Sequence, residues 1–150
     1  MAPRKGEADL GVAVIQMEPR IGETKANVEK TVRLIKQAHK SGAELIVLPE
    51  LCNTGYVFES RAEATALAEE VPDGETCRSW LEVCAALGIH LVAGITERDG
   101  VKLYNSAVVI GFSLTKELIS LMISWALSFV LSVCTGAKTR KGRWPRVFWI

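Results

Sequence analysis

The amino-acid sequence predicts an α/β fold with parallel strands, and three stretches carry that prediction. Residues 10–17 are rich in Val and Ile, which is typical of a strand. Residues 45–48 form a continuous apolar run, as expected for a strand buried on both faces of an α/β core. The stretch between them has helical spacing, and a strand–helix–strand unit favours a parallel pair of strands.

The first helix is predicted to begin near Thr24, a residue type suited to the N-cap position. Gly42 stands where a glycine commonly ends a helix. The apolar positions that share one face of this helix are Val28, Val32, Ile35 and Ala38. The face they form is expected to pack on the sheet.

Two further helices are expected. Residues 60–63 read Ser-Arg-Ala-Glu, a capping-box pattern that opens a short helix running to Glu70. A third helix is predicted from about Cys77 to Leu87, with Thr76 as its N-cap and Gly88 as its end. Its apolar face includes Cys77, Trp80, Leu81, Cys84 and Leu87, and we interpret the two cysteines as core residues rather than ligands or nucleophiles.

A hairpin follows. Residues 90–97 are predicted as a strand, residues 98–101 as a tight turn centred on Asp99-Gly100, and residues 101–110 as the returning strand. His39 and His90 have no acidic or cysteine residue near them in sequence, so we interpret both as structural.

Composition excludes several classes of protein. A chain of 150 residues with 49% hydrophobic and 23% charged residues is typical of one ordered globular domain. Its formal net charge of +1 argues against a general polyanion binder, and no nucleic-acid partner is expected. The four cysteines form no C-x-x-C pair and no metal-binding spacing, so neither a metal nor a cofactor is expected. The amino terminus lacks the apolar region of a secretory signal, which predicts a cytoplasmic protein with reduced thiols.

Glu50 is the candidate for chemistry. Pro49 has no N–H to donate to a sheet, so it should end the strand and leave Glu50 at its carboxyl end. Open α/β sheets place their ligand crevices at that edge. A partly desolvated carboxylate there is suited to accept a proton near neutral pH. The alternative is a glutamate that has simply reached water where a strand ends.

Several blocks of residues, in order, resemble one family. Residues 48–51, Leu-Pro-Glu-Leu, followed by Gly55-Tyr56, are similar to the first catalytic block of the nitrilase superfamily, the carbon–nitrogen hydrolases. Residues 12–17, Asn27 and residues 41–44 resemble that family's lead-in, and residues 91–94 and 104–106 resemble later blocks. The resemblance covers about residues 9–111. It implies the amino-terminal part of an α-β-β-α sandwich.

The resemblance also implies a mechanism. The family cleaves small-molecule amides, carbamoyl compounds or nitriles with a cysteine nucleophile, a glutamate base and a lysine that supports the tetrahedral intermediate. A thiol needs a base to become the attacking thiolate, and the charged intermediate needs donors or a fixed positive charge. By resemblance, Glu50 takes the role of the base.

The other two catalytic blocks of the family, Tyr-Arg-Lys and Ile-Cys-Tyr-Asp, do not occur in this sequence. Lys116 and Cys134 lack the family's surrounding residues, and Cys52 stands too close to Glu50 to come from a separate strand end. One catalytic residue of three is therefore expected. The resemblance predicts a hydrolase, whereas these residues predict an inactive fragment of one.

The last part of the chain, residues 112–150, is predicted to be unrelated to the domain at 9–111 and to the flexible residues 1–8. Residues 118–137 carry no charge and are predicted as one continuous apolar helix, long enough to span a bilayer. Five basic residues follow this stretch.

Three interpretations of this part stay open. The first is an abnormal carboxyl terminus, from a frame change, a retained intron or a gene fragment. The second is a membrane-attached or partner-binding protein that reuses the hydrolase half, because a small-residue stripe on the helix would let another helix approach closely. A sheet that lacks its partner sheet would also leave one apolar face open, which favours association into a homo-oligomer unless the terminal helix covers that face. The third is binding of nucleic acid or an anionic surface by the basic tail, for which five charges form a small patch.

Overall fold

The computed structural model describes residues 10–111 and the backbone of two further strands, Ile119–Met122 and Arg146–Trp149. The elements, in chain order, are β1 Gly11–Val14, α1 Thr24–Lys40, β2 Leu45–Val47, α2 Arg61–Leu67, α3 Glu75–Leu87, β3 His90–Asp99, β4 Lys102–Gly111, β5 Ile119–Met122 and β6 Arg146–Trp149. The predicted flexible residues 1–8 lie outside this description.

These strands form a sheet in the order β5-β4-β3-β2-β1-β6. β1 pairs in parallel with β2, and β2 pairs in parallel with β3. β3 and β4 form an antiparallel hairpin, and β5 extends it antiparallel to β4. The mixed α/β fold with a parallel strand–helix–strand unit is therefore confirmed.

The two long helices cover one face of this sheet. The strand order runs from β1 through β2 to β3 in one direction, so right-handed crossovers place α1 and α3 on the same side. The core between the helices and the sheet contains the buried side chains of Ile35, Ala38, Trp80, Cys84, Ala13, Ile46, Leu91 and Val108. The indole N–H of Trp80 donates to the hydroxyl of Thr31 at 2.8 Å, so the largest buried side chain leaves no polar atom unpaired.

Three of the predicted helix ends, at Ser60, Gly88 and Gly42, are confirmed. Ser60 is the N-cap of α2, and its hydroxyl accepts a hydrogen bond from the backbone N–H of Glu63 at 3.1 Å. Gly88 follows α3 with a left-handed φ of 68°, and Gly42 lies just beyond α1 with a φ of 94°. These φ values suit glycine because it has no Cβ to clash.

The two threonine caps are wrong. Thr24 is the first helical residue of α1, and the N-cap is Glu23. α3 begins after Gly74, which places Thr76 inside the first turn. The carboxylate of Glu69 supplies the cap to α3, accepting from the backbone N–H of Thr76 at 2.8 Å and from its hydroxyl. The N-cap rule considers only the residue next to the helix, so it cannot predict a capping group that lies farther away in sequence.

The hairpin turn is displaced by one residue from its predicted centre. Asp99 pairs with Lys102, so the turn consists of Gly100 and Val101. Gly100 has a left-handed φ of 56°, which explains why the glycine lies in the turn itself.

The predicted continuous helix over residues 118–137 is wrong at its beginning. Residues Ile119–Met122 form β5, and Ile119 pairs with Val109 of β4. The edge of β4 offers unpaired backbone groups, and a strand satisfies them where a helix would not. The rest of the predicted helix lies outside the described residues, as does most of the basic tail. Within the described part of the chain, none of the helices has the length and apolar character needed to cross a membrane.

Candidate active site

Glu50 leaves the sheet at the carboxyl end of β2. The backbone N–H of Leu48 donates to the carbonyl of Val92 at 2.8 Å, which continues the pairing of β2 with β3. Pro49 follows, and its carbonyl accepts from the N–H of Gly94 at 3.2 Å. Glu50 is then half-buried at the edge where the parallel strands end.

The backbone around Glu50 touches the backbone of β3. A Cβ at position 94 would lie 2.4 Å from the Cα of Glu50 and 2.8 Å from the carbonyl oxygen of Pro49. The N–H of Cys52 donates back to the carbonyl of Gly94 at 3.3 Å. Glycine is thus required at position 94 because residues 49–52 pass across it at van der Waals contact.

The chain turns sharply just after Glu50. Leu51 has a left-handed φ of 42° although it is not glycine, and its side chain is buried. Its carbonyl accepts from the N–H of Gly55 at 2.9 Å, which closes the turn. Such a backbone costs about 1–3 kcal/mol and persists only where the surroundings enforce it. The strain lies beside the one candidate catalytic group.

Buried polar side chains fix this loop to β3. The Oδ1 of Asn53 accepts from the backbone N–H of Thr96 at 3.2 Å. The hydroxyls of Thr54 and Thr96 lie 2.5 Å apart in a hydrogen bond. All three residues are buried, so these bonds are shielded from water.

Asn27 of α1 fixes the same loop from the other side. Its Nδ2 donates to the carbonyl of Asn53 at 3.0 Å and to the carbonyl of Arg20 at 2.7 Å, and its Oδ1 accepts from the N–H of Arg20 at 2.9 Å. The segment that follows β1 and the loop that carries Glu50 are therefore held together at one edge of the sheet. Sequence reasoning noted Asn27 only as part of the family pattern.

Asn105 on β4 contacts Glu50 directly. Its Nδ2 donates to the Oε1 of Glu50, and its own Oδ1 is buried without a partner among the described residues. The other carboxylate oxygen of Glu50, Oε2, has no hydrogen-bond partner in that same part of the chain. Sequence reasoning missed Asn105 as a functional residue, because 55 positions separate it from Glu50.

The thiol nearest to Glu50 is not suited to be a nucleophile. Cys52 is fully buried, and its Sγ donates to the carbonyl of Gly94 at 3.3 Å. Burial raises the pKa of Cys52 far above its ordinary value, so it stays a neutral thiol at neutral pH. Tyr56 lies on the same loop, and burial together with the negative charge of Glu50 raises the pKa of its phenol.

The two cysteines of α3 are core residues, as the sequence indicated. Burial raises the pKa of Cys77 and of Cys84 to about 12, and the carboxylates of Glu69 and Glu97 add to the effect on Cys77. Among the described residues, no three acidic, histidine or cysteine side chains converge as a metal site would require.

The class of protein follows from this fold together with a family match. A family model described as Carbon-nitrogen hydrolase matches residues 11–120, which is more than half of the chain. The chain belongs to the carbon–nitrogen hydrolase family. The matched span passes residue 111, where the recognisable sequence blocks stop, and reaches the first residues of β5.

Particular relatives are enzymes of this family. The "Nitrilase" of Pyrococcus abyssi is 50% identical over 100 residues, covering 67% of this chain and 38% of the relative. The "Omega-amidase NIT2" of Danio rerio is 38% identical over 102 residues, covering 67% and 35%. The crystal structure of an N-terminal amidase superposes with a TM-score of 0.67 at 25% identity, over 76% of this chain and 28% of the other. The chain thus spans less than two fifths of the length of each protein it matches here.

Proposed function

We propose that Glu50 is the general base of a carbon–nitrogen hydrolase, acting on a small-molecule amide, carbamoyl or nitrile substrate. The observation that carries this proposal is a half-buried carboxylate at the carboxyl end of β2, bonded through Oε1 and without a partner at Oε2 among residues 10–111. The relatives named nitrilase and omega-amidase support the substrate class.

The chemistry requires three functions. A base takes the proton of a cysteine thiol, and the thiolate then attacks the carbon of the amide or nitrile. The developing negative charge must be stabilised by donors or by a cation. Oε2 of Glu50 is the atom available for the first function, because Oε1 already accepts from Asn105.

The nucleophile and the lysine have no matched position in this sequence. Cys52 is buried and held as a neutral thiol, and Lys116 and Cys134 lie outside the described residues. We therefore propose that the chain carries the base but does not hydrolyse these substrates by itself.

Ammonia release from amide, carbamoyl and nitrile substrates tests the second part of the proposal. The full chain is expected to show no turnover above that of its Glu50→Gln variant. Turnover that disappears in Glu50→Gln would contradict the claim of inactivity while supporting the role of the base.

A chimera tests the role of Glu50 itself. Residues 1–111 are joined to the part of the Pyrococcus abyssi nitrilase that follows its matched segment, which by the family resemblance is expected to carry the cysteine and the lysine. The chimera is expected to be active, and Glu50→Gln to lower kcat by roughly 10²–10⁴-fold. Glu44→Gln, an exposed glutamate just before the same strand, is the matched control and should leave kcat unchanged. Equal activity of the chimera and its Glu50→Gln variant would refute the proposal.

A further inference from the structure

The register of the β3–β4 hairpin brings three residues to the loop that carries Glu50. Asn105 is paired with Thr96, and Gly94 lies two residues before Thr96 on β3. Positions two apart on a strand point to the same face, and directly paired residues share that face. Gly94, Thr96 and Asn105 therefore present one surface to residues 49–54.

Each of the three contacts a different part of the loop. Gly94 allows the backbone of Glu50 to pass at contact distance, and Thr96 bonds to Asn53 and Thr54. Asn105 bonds to the carboxylate of Glu50. The backbone of the loop is thus fixed by the first two, and the side chain of Glu50 by the third.

The orientation of the Asn105 amide follows from chemistry. A carboxylate can only accept, so the NH₂ group of Asn105 must face the Oε1 of Glu50. This single donor leaves Oε2 unengaged by Asn105, whereas an arginine bonded to both carboxylate oxygens would not.

We propose that Asn105 is a positioning residue for Glu50: it fixes Oε1 and so presents Oε2 for proton transfer. This inference rests on the proposed function of Glu50 as the base. It predicts that loss of the Asn105 donor releases the side chain of Glu50 from its single rotamer while the fold is kept.

The test is an NMR measurement of the three-bond couplings that report the rotamer of the Glu50 side chain in the full chain. In the parent, these couplings are expected to report one rotamer, because Oε1 is held by Asn105. In Asn105→Ala the single-rotamer couplings should be lost and replaced by averaged values, because the donor to Oε1 is gone. Asn105→Leu also removes the donor but keeps a side chain of similar size, and it is the second variant should the alanine variant misfold.

Ser106→Ala is the matched control, since Ser106 is the next residue of β4 and donates to a different carboxylate, that of Glu97. It should leave the couplings of Glu50 unchanged. Glu50 couplings that are the same in the parent, Asn105→Ala and Asn105→Leu, with native backbone amide spectra, would overturn the inference.

The coupling measurement needs no catalytic activity, so its outcome is separate from that of the chimera. Couplings that average in Asn105→Ala, together with an active Glu50→Gln chimera, would refute the role of Glu50 as the base and leave the Asn105–Glu50 contact standing. Unchanged couplings with an inactive Glu50→Gln chimera would retain the base and remove the positioning role.

Discussion

The helix-covered side of the sheet and the loop after β2 are built in different ways. The first is held by apolar side chains such as Ile35, Ile46 and Leu91, which interlock over a broad area. The loop is held by single contacts: a glycine against the backbone, an asparagine on a carboxylate and a pair of threonine hydroxyls. Packing of the first kind tolerates changes that conserve volume, whereas the second kind depends on individual atoms. The helix-covered side therefore depends on the total packed volume, and the loop depends on the position of single atoms.

The largest effect is expected where the loop touches β3. Gly94→Ala places a Cβ within 2.8 Å of three backbone atoms, which cannot rotate away as a side chain can. We expect a loss of about 3 kcal/mol or more in the free energy of unfolding, measured by urea denaturation. Gly100→Ala is the control, because its Cβ meets open space and its cost comes only from a left-handed φ. Equal losses in the two variants would show that the close approach at Gly94 carries no special cost.

The comparison also shows what a single sequence can predict. Apolar spacing predicted the helix-covered core, because the helical period of residues such as Ile35 and Ala38 is enough to show which face of α1 is buried. Pro49 predicted where β2 ends, since the missing N–H of proline is a property of that residue. The caps at Ser60 and Gly88 are likewise local features.

The site depends on partners that are distant in sequence. The contact of Asn105 with Glu50 requires the register of β3 on β4, and a turn centred on Asp99-Gly100 would pair Asn105 with Gly94 instead of Thr96. The cap of α3 comes from Glu69, seven positions before Thr76. The strand at Ile119–Met122 is selected by the open edge of β4 and not by its own composition. Each is a tertiary contact that local pattern does not encode.

An intermediate effect is expected from the buried thiols, one of which lies at the loop and two in the core. Burial raises the pKa of Cys77 and Cys84 to about 12, whereas a thiol in the unfolded chain ionises near 8.5. Between these pH values the unfolded chain loses protons that the native chain keeps. Stability therefore falls as pH rises above about 8.5, by about 2 kcal/mol per thiol at pH 10.

Urea denaturation between pH 7.5 and pH 10 measures this effect. Cys84→Ala and Cys52→Ala should each flatten the decline with pH, because one titrating group has been removed from each. The Cys52 variant compares the loop with the core directly. In the contrary case the variants change the free energy of unfolding, but this energy declines with pH as steeply as in the parent. That result would show that these thiols do not contribute to the pH dependence.

The smallest effect concerns Leu51, whose left-handed φ of 42° is a property of the loop alone. Both Leu51→Ala and Leu51→Gly lose the buried side chain. The difference between their free energies of unfolding therefore measures the cost of the left-handed backbone at this position. Glycine adopts this φ without strain and alanine does not, so Leu51→Gly should be more stable than Leu51→Ala by about 1 kcal/mol. At Ala26, an exposed position of α1, the order reverses: Ala26→Gly should cost about 1 kcal/mol relative to the parent. If the form with alanine is more stable than the form with glycine at both positions, the turn after Glu50 carries no backbone strain.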